Sequence, residues 1–258
     1  MRIARFSLND TMAFGVVEGD GLTEPQSVRP LRGHPFGDLE VLDGSVPLAG
    51  LRMLPPVLPS KIVAIGKNYA DHVAEFDAVT PSEPLMFLKP NTAVVGPGAT
   101  IRLPEQSQRV DFEAELAVVF GRLCRDVAAE DAADVILGYT CANDVTARDL
   151  QARDGQWTRA KGFDTFCPLG PWIETDAPGP DAVVQCTVNG EVRQSAPISD
   201  MIYGIGALIA HVTSVMTMLP GDVLLTGTPA GVGPLSDGDH VKVTIDGIGS
   251  LDNEVALS

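Results

Sequence analysis

The chain has 258 residues, 45% of them hydrophobic, enough to bury one large core or a large and a small one. Its 18 Lys and Arg stand against 34 Asp and Glu, a net charge of −16. A field of that sign repels phosphate backbones and anionic lipid, so neither nucleic acid nor a membrane surface is expected as a partner.

No apolar run approaches the ~20 residues needed to span a bilayer. The start, Met1-Arg-Ile-Ala-Arg, lacks the apolar stretch of a signal peptide. Cys124, Cys141, Cys167 and Cys186 form no CxxC pair and have no histidine at zinc-finger spacing. The expectation is a cytoplasmic protein with reduced, buried thiols.

Residues 1–55 read as a small β-rich N-terminal domain. Segments 2–6 and 13–17 alternate as strands, and Glu18-Gly-Asp-Gly is a turn signal. Pro55-Pro56 and Pro59 mark a linker. A second domain, 56–258, opens at Lys61-Ile-Val-Ala-Ile-Gly, a short buried strand. Further strands are expected at 85–88, 116–120, 138–142, 183–188, 223–226 and 241–245, punctuated by Gly and Pro. The best helix runs from 199 to 219, with Ile202, Ile205, Leu208, Ile209, Val212 and Met216 at helical spacing. Ser199 or Asp200 would cap it and Pro220-Gly221 would stop it. Shorter helices are expected at 129–135 and 146–152. The fold class is α+β, mostly β: a mixed, rolled β-sandwich rather than alternating βαβ units.

Asp111-Phe-Glu-Ala-Glu carries the sharpest chemical signal. Glu113 and Glu115 stand two apart at the head of an apolar run, which on a strand puts both carboxylates on one side. Two adjacent negative charges need a compensating cation or proton. With Asp144 they would make an all-oxygen site for a hard cation such as Mg2+ or Mn2+. The plainer reading of the two glutamates is the wet face of an amphipathic strand, and spacing alone cannot bring Asp144 near them.

Four other segments could carry chemistry. His72 and Glu75 share a helical face, an arrangement that builds a general base, although most His-x-x-Glu pairs are ordinary surface pairs. Lys161, beside an apolar segment, could hold a carboxylate or enolate, or could be a solvated lysine. Arg148 and Gln151 could line the same cavity or form a polar helix face. Residues 225–233, Leu-Thr-Gly-Thr-Pro-Ala-Gly-Val-Gly, lack a P-loop ending, and Pro229 is incompatible with a dinucleotide fingerprint. Either its amides and Thr228 face an anionic ligand, or it is a tight turn.

Taken together, these segments resemble the fumarylacetoacetate hydrolase superfamily. The matches are 61–72, Phe87-Leu-Lys-Pro, Asp111-Phe-Glu-Ala-Glu-Leu, 143–151, 161–171, Val188-Asn-Gly-Glu and 225–233, in the family's order over about 60–255. The resemblance implies a β-roll with a divalent cation, Mg2+ or Mn2+, on Glu113, Glu115 and Asp144. It implies an active-site lysine at Lys161 and a His72–Glu75 dyad on a segment that acts as a mobile lid in relatives. Substrate contacts fall on Arg148, Gln151 and Thr228, and on Lys67, where some relatives carry arginine. An ammonium there gives a point charge rather than a bidentate fork.

The implied activity is cleavage of a C–C bond in a 2-oxo acid through an enolate, by hydrolysis of an acylpyruvate or fumarylpyruvate or by decarboxylation of oxaloacetate. Isomerisation of 2-hydroxy-diene-dioates, as with 5-carboxymethyl-2-hydroxymuconate, is the close alternative. A non-catalytic, metal-stabilised binding protein is the alternative of another class. A homodimer is expected.

Overall fold

The structure, a computed structural model, describes residues 1–19, 27–76 and 79–258. The second half of the Glu18-Gly-Asp-Gly turn and Asp77-Ala78 of the lid segment lie outside these residues. The first strands are β1 (Arg2–Leu8), β2 (Thr11–Glu18), β3 (Ser27–Gly33), β4 (Leu39–Val41), β5 (Val46–Pro47) and β6 (Arg52–Met53). Next come β7 (Ile62–Gly66), α1 (Ala70–Glu75), β8 (Leu85–Lys89), β9 (Val94–Val95), β10 (Thr100–Leu103), β11 (Val110–Phe112) and β12 (Ala114–Phe120). The middle of the chain holds β13 (Ile136–Asn143), β14 (Thr146–Ala147), α2 (Arg148–Asp154), α3 (Thr158–Lys161) and β15 (Cys167–Glu174). It ends with β16 (Val183–Val188), β17 (Glu191–Pro197), α4 (Ile205–Val215), β18 (Val223–Leu225), β19 (Gly233–Pro234), β20 (His240–Ile245) and β21 (Gly249–Leu257).

Among the described residues these strands form three sheets. The largest runs β4-β3-β2-β1-β15-β13-β12-β18-β7-β8, with β5, β6 and β9 attached to it. A five-stranded sheet runs β10-β21-β20-β16-β17, and a small one runs β14-β11-β19. Both parallel and antiparallel pairs occur in the largest sheet, as expected for a mixed roll. The N-terminal strands join this sheet directly: β1 pairs with β15 through Arg2↔Glu174 and Ile3↔Ile173.

Strand β12 explains why the core sits where it does. Its sequence, Ala-Glu-Leu-Ala-Val-Val-Phe, is buried on both faces. The two-residue alternation sends Leu116, Val118 and Phe120 to one core and Ala117 and Val119 to the other. The first core packs against Val184, Val243 and Leu251 of the five-stranded sheet and Leu208, Ile209 and Val212 of α4. The second packs against Ile3, Phe14 and Leu31 of the N-terminal strands. An apolar run on a doubly covered strand is what this packing demands.

Three helix expectations need correction. The long helix is cut to Ile205–Val215 because Ile202 and Tyr203 donate their amides to Asn68, whose own amide group donates to Tyr203 and Thr226. Those bonds hold 201–203 in extended contact with the segment before α1 and outbid helix continuation. Residues 146–147 are a strand, so the helix expected from 146 begins at Arg148. The turn at Ala129–Val135 is 3-10 rather than α.

Asp222 is the anchor beneath β7 and β18. Its fully buried carboxylate accepts the backbone amides of Ser60, Lys61 and Leu219, the Ser60 hydroxyl and the Lys61 ammonium. Burial would raise its pKa, but these donors, the Lys61 ammonium and Ser60 hydroxyl foremost, hold it below the usual carboxylate value. A depressed carboxylate contributes stability above its unfolded value, near 4, and loses that contribution as pH falls through the folded value. Asp222→Ala is therefore expected to destabilise the protein by about 3 kcal/mol at pH 7. Urea denaturation should show the gap between variant and wild type narrowing below about pH 4.

Candidate active site and metal centre

The register of β12 on β13 assembles the carboxylates. Ala114 lies across from Asn143 and Glu115 across from Ala142, and the Asp144 amide donates to the Glu113 carbonyl at 2.8 Å. Glu113 sits at the break between β11 and β12, where Asn143 Oδ1 accepts its amide at 2.9 Å. Oxygens of Glu113, Glu115 and Asp144 then all lie within 4.8 Å of one another. Their exposures are 4%, 1% and 1%, so the wet-face reading of the glutamates does not hold.

Three cations surround the trio. Lys161, at the end of α3, donates to Glu113 Oε2 at 2.8 Å and to Asp144 Oδ2 at 2.6 Å. Lys89, at the end of β8, donates to Asp144 Oδ1 at 2.5 Å and to the Val145 carbonyl at 3.3 Å. Arg148 donates to Glu113 at 2.6 Å, to Asp111 at 3.0 Å and to Gln151 at 2.8 Å. Burial would raise Glu113, but Lys161 and Arg148 outweigh it and hold that carboxyl well below the usual range. Burial also opposes the charge on Lys161, yet Asp144 and Glu113 keep its pKa above that of an ordinary lysine. Glu115 goes the other way: burial and then the charges of Asp144 and Glu113 push it well up.

The donor set fits a hard divalent cation. All three groups are carboxylates, and oxygen bonds of about 2.0–2.6 Å bridge ligands about 4–5 Å apart. Beside the trio, the buried Asn143 Nδ2 has no partner among the described residues. Lys89 and Lys161 occupy single oxygens of Asp144 and one of Glu113, leaving Glu115 without an ammonium. The group with no ammonium is the one whose charge a divalent ion would stabilise.

A cavity of about 240 Å³ opens onto this cluster. Of the residues singled out in the sequence, Lys67, His72, Glu113, Asp144, Arg148, Gln151, Lys161 and Thr228 line it. Glu115 is buried behind the wall, whereas Glu75 is solvent-exposed and acts on the cavity through His72. His72 Nδ1 is 3.2 Å from Glu75 Oε2, leaving Nε2 as the free ring nitrogen. Glu75 Oε1 in turn accepts the Gly231 amide at 3.2 Å. The Phe76 ring stands edge-on to His72 at 5.2 Å and under the Arg148 guanidinium at 5.2 Å.

The other walls are apolar: Ile65, Val73 and Trp157. Gly66 is required there, since a Cβ would meet the Trp157 ring at 2.7 Å. Lys67 takes a left-handed backbone, φ 60°, and its ammonium has no ion-pair partner among the described residues.

The 225–233 loop combines its two expected uses: Thr228 lines the cavity, while two of its amides turn inward. Its Gly227 amide donates to Glu115 at 2.7 Å and its Gly231 amide to Glu75, so these amides face the protein's own carboxylates. Gly227 has φ 100°, and a side chain would strike Asn68 at 2.7 Å.

Sequence reasoning assigned no role to Lys89, Asp111 or Gln194. A lysine closing an apolar strand just before Pro90 was the available signal for Lys89. Asp111 is fully buried and chelated by Arg109 and Arg148, which sets Arg148 in place.

Comparison with known proteins agrees with this geometry. Residues 61–256 match the fumarylacetoacetate (FAA) hydrolase C-terminal family, and residues 1–56 match the Rv2993c-like N-terminal family. The chain belongs to the fumarylacetoacetate hydrolase family. A solved 5-carboxymethyl-2-hydroxymuconate delta-isomerase from Mycobacterium smegmatis is 51% identical, with TM-score 0.92 and all of both chains covered. Oxaloacetate tautomerase fahd2, mitochondrial, of Xenopus laevis is 43% identical over 80% of this chain and 69% of its own length. A maleylpyruvate hydrolase from Sphingobium sp. SYK-6, solved with manganese(II) and pyruvate, is 32% identical, with TM-score 0.82 and all of both chains covered. Members of this family with assigned activities are enzymes, and no helix among the described residues is long and apolar enough to cross a membrane.

Glu115→Gln tests the cation site. Replacing a carboxyl whose charge burial and its neighbours disfavour with a neutral amide should leave the ion-free protein as stable as wild type or more so. Excess Mg2+ should stabilise wild type by about 3–4 kcal/mol at 100–1,000 times its Kd. Thermal unfolding with and without chelator should show that gain lost in the variant.

Proposed function

We propose that this enzyme moves a proton at the carbon next to the carbonyl of a 2-oxo acid bearing a second carboxylate, interconverting keto and enol forms. The observation that carries the reading is one cavity lined by a carboxylate-held imidazole, by Glu113 and Asp144 of the carboxylate trio with the Lys161 ammonium, and by Lys67, which has no ion-pair partner among the described residues. The names of its relatives support it: one is an oxaloacetate tautomerase and another a 5-carboxymethyl-2-hydroxymuconate delta-isomerase.

His72 Nε2 takes the proton, and Glu75 on Nδ1 orients the ring and stabilises the imidazolium that forms. Lys161 uses two of its three protons on Glu113 and Asp144, so the third is free for the developing oxyanion. Lys67 meets the distal carboxylate as a point charge. Arg148 spends one donor on each of Asp111, Gln151 and Glu113, which fixes Gln151 and Glu113 at the cavity wall and leaves two of its five N–H groups for a ligand. A divalent cation, Mg2+ or Mn2+, bound by Glu113, Glu115 and Asp144 would supply Lewis-acid stabilisation of negative charge on the ligand's oxygens. Ile65, Val73 and Trp157 keep bulk water from the reacting carbon.

Hydrolysis of the C–C bond in an acylpyruvate is the second reading. The same His72–Glu75 pair can activate water instead of a carbon acid, and a maleylpyruvate hydrolase is among the structural relatives.

Proton NMR of oxaloacetate in D2O with Mg2+ separates the two. Enzyme-dependent exchange of the C3 protons, without matching pyruvate release, is the expected result. His72→Ala should slow that exchange by about 10²–10⁴-fold. Exchange no faster than without protein would sink the first reading, and cleavage of an acylpyruvate at full rate would favour the second.

A further inference from the structure

Strand β18 ends at Leu225, but the ladder it forms with β12 does not stop there. Thr226 donates both its amide and its hydroxyl to the Leu116 carbonyl, at 3.1 and 2.9 Å. Two residues on, the Thr228 hydroxyl donates to the Ala114 carbonyl at 2.9 Å. The Ala114 amide is satisfied from elsewhere: it donates to Gln194 Oε1 at 2.9 Å. Ala114 stands between Glu113 and Glu115, so both polar groups of the intervening peptide are held by these two side chains.

Gln194 is out of character with its surroundings. It lies on β17, the edge of the five-stranded sheet, where its neighbours Arg193 and Ser195 are exposed, yet it is only 1% exposed itself. Its Nε2 donates to Thr228 Oγ1 at 2.8 Å and to the Pro229 carbonyl at 2.7 Å. The carboxamide cannot be turned over: its oxygen must face the Ala114 N–H and its nitrogen the Pro229 carbonyl. Both Nε2 protons are thereby used.

This fixes the polarity of Thr228. Its oxygen accepts one proton, from Gln194, and spends its own on Ala114. A hydroxyl oxygen has two lone pairs, so one remains, and Thr228 lines the cavity. Turning the proton toward the cavity would break the buried hydrogen bond from the Thr228 hydroxyl to the Ala114 carbonyl, while Gln194 continues to occupy the oxygen from the other side.

We propose that Gln194 is a positioning residue that locks the Thr228 hydroxyl as a hydrogen-bond acceptor toward the cavity, so that the site favours a ligand presenting an O–H donor there. The inference rests on the reading of a 2-oxo acid enzyme given above and deepens it. Of the two forms of a keto–enol pair, only the enol carries that O–H.

Binding rather than turnover tests it. Glycolate carries a hydroxyl beside its carboxylate, whereas oxalate offers acceptors only. Calorimetric titration of the Mg2+-loaded protein with each gives the ratio of their Kd values. Thr228→Val should weaken glycolate by about tenfold, the loss of one hydrogen bond, and change oxalate by less than about twofold. Thr228→Ser should keep the wild-type ratio. Gln194→Met frees the hydroxyl to rotate, so oxalate should gain on glycolate while both still bind. Equal changes for both ligands in Thr228→Val, or a ratio unmoved by either substitution, would overturn the proposal. If Gln194→Met does not fold, the near-isosteric Thr228→Val alone decides. A failed exchange assay with the expected binding ratios would count against the proton-transfer reading and leave the Thr228 polarity standing.

Discussion

Three carboxylates buried within hydrogen-bonding distance of each other's neighbours are the constraint on which the rest depends. Glu113, Glu115 and Asp144 repel one another in a low-dielectric interior, and each must be compensated. Lys161, Lys89 and Arg148 supply much of that compensation, each delivered by a different element: α3, β8 and α2. Their convergence explains why a lysine can be fully buried at the edge of the large sheet and why a short α2–α3 pair folds over its face. What they leave uncompensated is Glu115, and a divalent ion is the charge that completes the set. The same ion would reverse the local sign in a chain of net charge −16 and let an anionic ligand enter.

Around this cluster the backbone is ordered as much by side chains as by strand pairing. Asn68 ties the segment before α1 to 201–203 and to Thr226, and Tyr203 reaches the Pro81 carbonyl beyond it. Thr226, Thr228 and Gln194 extend the β12–β18 ladder past the end of the strand. Gly227 and Gly231 aim their amides at Glu115 and Glu75. One loop thus touches a carboxylate of the proposed metal site, the carboxylate behind the histidine, and the cavity wall. Its geometry couples groups that lie far apart in the chain, which is the reason to look there for selectivity.

Much was legible in the sequence because it was local or ordered. The buried strands announced themselves as apolar runs between Gly and Pro, and the positions of β16 and β20 were readable nearly to the residue. The carboxylate pair, the His72–Glu75 spacing and the ordered family segments pointed to the residues that the cavity brings together. What spacing could not convey was competition from distant partners. Periodicity alone extends α4 back to residue 199, but Asn68, more than a hundred residues earlier, takes the amides of Ile202 and Tyr203 and stops it.

The sequence by itself determined the class of chemistry available: an acidic chain with clustered carboxylates, a histidine–glutamate pair and a few well-placed lysines, on a mostly β scaffold. Only the tertiary structure decided which charges meet. The pairing of β12 with β13 sets Asp144 across from Glu113, and β8 and α3 bring Lys89 and Lys161 to the same carboxylate. It also decided that Gln194, a polar residue in an exposed hairpin, turns inward to hold Thr228. The physical reason is burial. Charge and hydrogen-bonding groups are nearly indifferent to their partners in water, and become selective about them only where folding removes the water and leaves each group dependent on what the fold places beside it.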